Sequence, residues 1–190
     1  MWNYAVFLDR DGTINEDPGY LGDPGLVKIL PGVAKGISEL KSKFGFKIIV
    51  ISNQAGISRG LITESQVNEV NNKINRLLSE QNAEIDVFYF CPYHPMFSSE
   101  IDSRCRKPSP EMIIKAAEEN QIDLSSSYMI GDKASDVLCG INAGVKTILL
   151  NSDKSSDEIN SLKKEVKSPN FVANNFLDAV NFIQQDINNR

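Results

Sequence analysis

The amino-acid sequence predicts an α/β fold: a doubly wound parallel sheet with helices on both faces, of the Rossmann-like kind. Short runs rich in Val, Ile and Phe alternate along the chain with segments of helical periodicity. The apolar runs are continuous, which is typical of strands buried on both faces of a parallel sheet. Such sheets bind ligands beyond the carboxyl ends of their strands, so a functional site is expected at that edge.

Six strands are predicted from these apolar runs and their content of branched residues. They are expected at residues 4–8, 47–51, 87–90, 128–130, 147–150 and 171–173. Helices are expected between and after them, at residues 32–43, 64–81, 110–120, 135–143 and 177–187. The helix at 64–81 is predicted by an apolar face and by a capping box of Thr63 with Gln66.

The chain contains no internal repeat or low-complexity tract that would divide it. The polar stretch 151–157 is the only place where a domain boundary could be argued, and we predict a single domain over residues 1–190. The intervals between the polar strand ends are too short for a large cap domain. Specificity should therefore come from the loops 15–30, 54–61 and 91–106, or from a partner subunit. We expect a monomer.

Composition and charge exclude several classes of protein. The chain has 190 residues, of which 41% are apolar and 24% charged, and no apolar run is long enough to span a membrane. A net charge of -5 lacks the basic surplus of proteins that bind nucleic acid. Residues 1–4 lead into the first predicted strand without an export signal. We expect a cytoplasmic protein with no nucleic-acid or membrane partner.

The three cysteines, Cys91, Cys105 and Cys139, are an odd number in a chain without a visible leader. A disulfide framework is therefore not expected, and free thiols suit a reducing cytoplasm. Cys139 falls in a predicted helix among apolar residues, where we expect a buried structural thiol.

Polar side chains cluster where three of the predicted strands end. Asp9 and Asp11 follow the first strand, Ser52 follows the second, and Asp132 follows the fourth. Three carboxylates on one edge would repel one another unless a hard cation took oxygens from them. The sequence therefore predicts a Mg²⁺ site that a substrate phosphate can share.

The same residues suit phosphoryl transfer. A cation beside an exposed Asp, with Lys107 on a nearby loop and the hydroxyl of Ser52, would stabilise a phosphoryl group. One carboxylate can attack phosphorus to form an aspartyl phosphate, and a second can protonate the leaving oxygen and later deprotonate water. Asp9 is the candidate nucleophile and Asp11 the candidate acid and base, although composition does not decide which aspartate takes which role.

The segment 9–13, which reads Asp-Arg-Asp-Gly-Thr, is followed in order by Ser52, Lys107 and the segment 131–136. This series resembles the four ordered motifs of the haloacid dehalogenase superfamily. The order of the motifs and their placement at strand ends make the resemblance specific.

A closer likeness is carried by residues 17–20, 52–60 and 105–108. These segments resemble the D-glycero-D-manno-heptose 1,7-bisphosphate phosphatases, a branch shared with the histidinol-phosphate phosphatases. The similarity spans roughly residues 4–150.

The resemblance implies a role for each residue of the site. Asp9 would be the nucleophile and Asp11 the acid and base, while Ser52 and Lys107 would steady the phosphoryl group. Mg²⁺ would be held by Asp9, by the backbone oxygen of Asp11 and by Asp132. The substrate-binding residues would be Asp17, Gly19, Tyr20, Asn53, Gln54, Arg59, Arg106 and Lys133, with substrate recognition assigned to Arg106.

One departure from this family concerns a zinc loop. Family members carry a Cys-x-His segment and a later Cys-x-Cys. In this chain only half of those ligands are present at the matching positions. The matching positions are Cys91, Tyr93, Ser103 and Cys105. A Zn²⁺ site could still be built from Cys91, His94 and Cys105, with Asp102 as an oxygen ligand. Because structural zinc sites have four good donors, we expect a loop without metal.

The leading interpretation is a Mg²⁺-dependent phosphatase acting on a small sugar phosphate, by resemblance the 7-phosphate of heptose 1,7-bisphosphate. Histidinol phosphate is the alternative substrate. A non-enzymatic alternative is a phospho-accepting signalling domain, since receiver modules also combine an acceptor Asp, paired acids, a hydroxyl and a lysine. Receivers place the acceptor Asp on a later strand, which argues against that alternative. A catalytically silent binding protein is the third interpretation.

Overall fold

The computed structural model describes residues 3–152 and 155–189. Its centre is a sheet whose strands are β1 (Ala5–Leu8), β2 (Lys47–Asn53), β3 (Val87–Cys91), β4 (Tyr128–Gly131), β5 (Lys146–Leu150) and β6 (Phe171–Ala173). The strands are parallel and lie in the order β3, β2, β1, β4, β5, β6. The six predicted strands are all present.

Helices cover both faces of the sheet. They are α1 (Val33–Phe44), α2 (Glu64–Ser79), α3 (Glu111–Asn120), α4 (Ala134–Ala143), α5 (Ser155–Lys164) and α6 (Phe176–Asn188). Helices α1, α2 and α6 pack on one face, and α3, α4 and α5 pack on the other. The predicted doubly wound architecture is confirmed. In the part of the chain that the structure describes, no helix has the length and apolar character needed to cross a membrane.

The central strands are buried on both sides. In β1, Val6 and Leu8 pack into the core beneath α1 and α6, whereas Ala5 and Phe7 pack toward α3. All four side chains have no exposed surface. Burial on both faces is why the strand reads as a continuous apolar run.

Helix α2 begins at the predicted capping box. The Oγ1 of Thr63 accepts the N–H of Gln66 at 3.2 Å, and the Gln66 side chain accepts the N–H of Thr63 at 2.9 Å. Two backbone N–H donors at the helix start are thereby satisfied, so the loop before the helix has a fixed end.

Helix α5 was not predicted. It begins at Ser155, within the polar stretch 151–157 where a boundary could be argued, and residues 153–154 of that stretch lie outside the described residues. Leu162 is buried on this helix and Ile159 packs partly against the core. A helix that needs so few apolar residues shows little periodicity in its sequence.

The prediction of free thiols is wrong for two of the three cysteines. Cys91, at the end of β3, and Cys105 form a disulfide. The loop after β3 folds back to the edge of the sheet and brings the two thiols together, which an odd number of cysteines does not exclude. Cys139 is a free thiol buried in α4, as predicted.

The carboxyl ends of β1, β2 and β4 lie side by side, because β1 pairs with β2 on one side and with β4 on the other. Asp9 follows β1, Ser52 lies near the end of β2, and Asp132 follows β4. Within residues 3–152 the chain between these strands forms the helices and strands of the sheet fold, and no large cap domain is inserted, as predicted.

Candidate active site

The side chain of Lys107 lies at the centre of this sheet edge. Its Nζ is 2.8 Å from Asp9 Oδ1 and 2.6 Å from Asp136 Oδ1, and it donates a hydrogen bond of 2.7 Å to the carbonyl oxygen of Ile51. Burial disfavours the ammonium, but the charges of Asp136 and Asp9 outweigh it and raise the pKa of Lys107 above its usual value. Lys107 is therefore a fixed positive charge.

Asn53, the last residue of β2, holds the backbone of Lys107. The Lys107 N–H donates to Asn53 Oδ1 at 3.0 Å, and Asn53 Nδ2 donates to the Lys107 carbonyl oxygen at 3.2 Å. This pair of hydrogen bonds joins the loop to the sheet beside Asp9. The amide that was predicted to bind substrate is thus also a positioning group.

Three carboxylates, those of Asp9, Asp132 and Asp136, converge beside Lys107. Each contributes an oxygen that lies within 4.8 Å of the others. Burial, and next the charge of Asp9, raise the pKa of Asp132 to about 7. Burial also raises the pKa of Asp136 to about 6, despite its ion pair with Lys107. Lys107 alone does not balance the negative charge of this cluster.

The cluster fits a magnesium ion. Asp132 Oδ1 is buried and has no hydrogen-bond partner among residues 3–152 and 155–189, and carboxylate oxygens are the ligands that Mg²⁺ prefers. Gly12 keeps the space open: its φ is +88°, and a Cβ there would lie 2.5 Å from Asp132 Oδ2. Asp136 lies in this cluster with Asp9 and Asp132, the two predicted side-chain ligands. Coordination by these carboxylates and by the backbone oxygen of Asp11 stays a prediction.

The carboxylate of Asp11 has a different environment. Arg10 Nη2 donates to its Oδ2 and Asn15 Nδ2 to its Oδ1, both at 2.9 Å. Gln54 Nε2 also donates to Oδ2, at 2.9 Å, and lies 2.8 Å from the hydroxyl oxygen of Ser52. Burial would raise the pKa of Asp11, but the charge of Arg10 and these hydrogen bonds together lower it. Asp11 is ionised in the free protein.

Two adjoining cavities open from this edge, and Asp11, Asn53, Arg106 and Lys133 line both of them. The inner cavity is lined by the four predicted catalytic residues, Asp9, Asp11, Ser52 and Lys107. The outer cavity is lined by the eight predicted substrate-binding residues: Asp17, Gly19, Tyr20, Asn53, Gln54, Arg59, Arg106 and Lys133. The fold therefore brings the predicted catalytic and substrate-binding residues to one edge of the sheet.

The outer cavity concentrates positive charge in a chain whose net charge is -5. Arg59, Arg106 and Lys133 all line it. Burial, and next the charge of Arg59, lower the pKa of Arg106, as expected for two neighbouring guanidinium groups. Lys133 is 3.3 Å from one carboxylate, that of Asp17, and has its pKa raised by the nearby acids, chiefly Asp9, against the opposing effect of burial. This cavity is suited to an anion.

Sequence reasoning missed some residues of these cavities and one ion pair. His94 lines the outer cavity and Ser135 the inner one. The pairing of Asp136 with Lys107 was also missed, although Asp136 lies about one helical turn after Asp132, and that spacing was the available signal.

The HAD-hydrolase-like family model matches residues 104–179 of the chain. The D-glycero-beta-D-manno-heptose-1,7-bisphosphate 7-phosphatase of Escherichia coli is 40% identical over 149 residues, which are 77% of this chain and 78% of that protein. The chain belongs to the heptose-1,7-bisphosphate 7-phosphatase family. The predicted family and the predicted class of enzyme, a phosphoric monoester hydrolase, are confirmed.

Other members of the heptose-1,7-bisphosphate 7-phosphatase family match along more of the chain. The Chlorobaculum tepidum protein is 38% identical over 184 residues, covering 93% of this chain and 92% of the relative. A crystal structure of the D,D-heptose 1,7-bisphosphate phosphatase from B. bronchiseptica, complexed with magnesium and phosphate, has a TM-score of 0.84. It is 24% identical, with coverage of 96% of this chain and 99% of that chain, and it shares the fold.

This member of the heptose-1,7-bisphosphate 7-phosphatase family does not form the zinc-ligand set that was considered from its sequence. The disulfide joins the sulfurs of Cys91 and Cys105, so neither is a thiolate ligand. The ring of His94 instead faces the guanidinium of Arg59, with Nε2 at 3.3 Å from Nη2. The loop after β3 is fixed by a covalent bond in this structure.

We expect the Mg²⁺ affinity of the protein to depend on pH. Because burial and Asp9 raise the pKa of Asp132 to about 7, the metal must displace a proton below that pH. Affinity measured by calorimetry should fall by roughly tenfold for each pH unit below about 7 and level off above it. The Asp132→Asn variant should bind weakly at pH 8 and lose this dependence, whereas equal wild-type affinities at pH 6 and pH 8 would show that Asp132 is not a ligand.

Proposed function

We propose that this protein is a Mg²⁺-dependent phosphatase that hydrolyses the 7-phosphate of D-glycero-D-manno-heptose 1,7-bisphosphate. The observation that carries the proposal is the ion pair of Asp9 with the buried Lys107, next to a carboxylate cluster that fits Mg²⁺. The relatives that match the chain are named for the same substrate.

The reaction begins with Asp9. One carboxylate oxygen of Asp9 attacks the phosphorus, and the bond from phosphorus to the sugar oxygen breaks, which leaves an aspartyl phosphate. Lys107, 2.8 Å from Asp9 Oδ1, offers a donor and a positive charge to the phosphoryl oxygens as negative charge develops on them. Asp9, Asp132 and the backbone oxygen of Asp11 would hold Mg²⁺, which would supply further neutralisation of the negative charge.

Asp11 acts as the general acid and then as the general base. It gives a proton to the departing sugar oxygen and later takes one from the water that attacks the aspartyl phosphate, which regenerates Asp9 and releases inorganic phosphate. Its hydrogen bonds to Arg10 keep it ionised in the free protein, which is the form needed for the second step. The negative charge of a bound phosphate raises the pKa of a neighbouring carboxyl, and this favours the protonated form needed for the first step.

The outer cavity supports the choice of a bisphosphate. Its three cations, Arg59, Arg106 and Lys133, offer more positive charge than a single transferring phosphoryl group needs. Histidinol phosphate carries a cationic amine and no second phosphate, so these cations disfavour it. The intact pair of Asp9 and Asp11 at the first strand favours hydrolysis over a lasting phosphoprotein.

The cytoplasmic location and the monomeric state stay predictions. A sugar bisphosphate is strongly charged and does not cross a membrane unaided, which supports an enzyme located where that substrate is made. The single-domain organisation over residues 1–190 is likewise proposed.

A comparison of substrates tests the proposed function. We expect the kcat/KM for heptose 1,7-bisphosphate to exceed that for histidinol phosphate and for a 3'-phosphorylated oligonucleotide, with phosphate release as the readout. The control is Asp9→Asn, which removes the nucleophile and should abolish turnover of all three. Asp136 still pairs with Lys107 in this variant, so a cooperative thermal unfolding transition should remain and shows that the variant is folded. Near wild-type phosphate release by Asp9→Asn would contradict the mechanism, and a preference for histidinol phosphate would contradict the substrate.

Two neighbouring cations should have different roles. Lys107→Ala removes charge that acts in the transition state, so kcat should fall by roughly 10² or more. Arg106→Ala removes binding to the second charged group, so it should mainly raise the KM for the bisphosphate and have little effect on p-nitrophenyl phosphate. Steady-state kinetics of both variants on both substrates check this division, and equal damage to both substrates by Arg106→Ala would refute it.

A further inference from the structure

The ring of His94 lies at the mouth of the outer cavity, with a hydrogen-bond donor at each of its nitrogens. The backbone N–H of Met96 is 3.2 Å from Nδ1, and Nη2 of Arg59 is 3.3 Å from Nε2. The same cavity is lined by Arg106 and Lys133. His94 was considered from the sequence only as a zinc ligand, and the disulfide has removed the sulfurs of that set.

The protein alone does not satisfy the hydrogen bonding of both nitrogens of the His94 ring. A neutral imidazole has one N–H and one acceptor nitrogen, and a guanidinium has only donors. If Nδ1 accepts from Met96, the proton of the ring is on Nε2 and faces a donor of Arg59. An oxygen with lone pairs between His94 and Arg59 would accept from both.

The neighbours of His94 hold Arg59 in place at this position. Arg59 Nη1 donates to the hydroxyl oxygen of Tyr20 at 2.7 Å, and the guanidinium lies 5.3 Å from the centre of the Phe97 ring. The ring of Phe97 also packs against His94, with centroids 5.7 Å apart. The two donors are therefore held side by side before any ligand arrives.

The charges around His94 are those of an anion site. Partial burial, and next the charges of Arg106 and Arg59, lower the pKa of His94, so the ring is neutral at neutral pH in the free protein. Cations face it from the loop 54–61 and from the segment after Cys105, and the hydroxyl of Tyr20 accepts a hydrogen bond from Arg59. The other titratable groups that line the cavity are Asp11, Asp17 and Lys133, and Lys133 is paired with Asp17. A phosphate oxygen here would relieve the repulsion between the two arginines.

We propose that His94 is a specificity residue whose Nε2–H, together with Arg59, binds the phosphate of the substrate that is not transferred. This inference rests on the proposed function, because it requires a second phosphate. It gives the loop 91–106 a direct part in substrate choice, apart from its role in carrying Arg106 and Lys107 to the site.

The test compares heptose 1,7-bisphosphate with heptose 7-phosphate, which has the transferred group but lacks the second phosphate. Wild type, His94→Ala and His94→Gln are measured on both substrates. The matched control is Met96→Ala, because the Met96 side chain is 78% exposed and the variant keeps the backbone N–H that faces His94. Thermal unfolding of all four proteins shows whether the loop change affects folding.

We expect His94→Ala to lower the ratio of kcat/KM values, bisphosphate over monophosphate, by about tenfold. The loss should lie in the KM for the bisphosphate, because a contact remote from the reacting phosphorus is made in the ground state and the transition state alike. His94→Gln, whose side-chain amide is also a donor, should recover most of the ratio, and Met96→Ala should keep the wild-type value.

Each contrary result has a separate meaning. A wild-type preference for the bisphosphate that survives in His94→Ala overturns this inference and leaves the proposed function standing. Equal losses on both substrates, or a loss in kcat alone, would assign His94 a structural role and also overturn it. A wild-type enzyme without any preference for the bisphosphate overturns the proposed substrate and this inference together.

Discussion

The buried ammonium of Lys107 joins three parts of the sheet edge: β1 through Asp9, β2 through the carbonyl of Ile51, and α4 through Asp136. Removing one partner of a buried ion pair costs about 3 to 5 kcal/mol, because the other charge is left without compensation. Here one cation serves two carboxylates, with a third, Asp132, close by. The position of the nucleophile and the need for a further cation both follow from that arrangement.

The fixed position of Lys107 also determines where its neighbour Arg106 lies relative to the outer cavity. Lys107 is held by Asn53 of β2, and two residues earlier Cys105 is tied to the end of β3 by the disulfide. Arg106 lies between these two anchors and lines both cavities from the loop. A segment of three residues thus supplies the cation for the transferring phosphoryl group and a cation for the rest of the substrate.

Much of this could be predicted from the sequence, because a strand buried on both faces must be continuously apolar and its end must turn at polar residues. That reasoning placed Asp9, Ser52 and Asp132 at one edge. It could not predict the pairing of Cys91 with Cys105, because the number of cysteines does not show which of them lie close together. The arrangement of donors around His94 could not be predicted either, because it depends on residues 59 and 96. Helix α5 was missed because few of its residues are buried.

The most direct test of this account is to trap the phosphorylated enzyme. Wild-type protein is mixed with heptose 1,7-bisphosphate and Mg²⁺, quenched in acid during turnover and treated with borohydride, which reduces an aspartyl phosphate to homoserine. Peptide mass spectrometry then locates the change. We predict homoserine at position 9, because Asp9 is the carboxylate that attacks phosphorus. In the free protein this residue pairs with Lys107. Homoserine at position 11, 132 or 136, or an unmodified chain while product accumulates, would contradict the central role of Asp9.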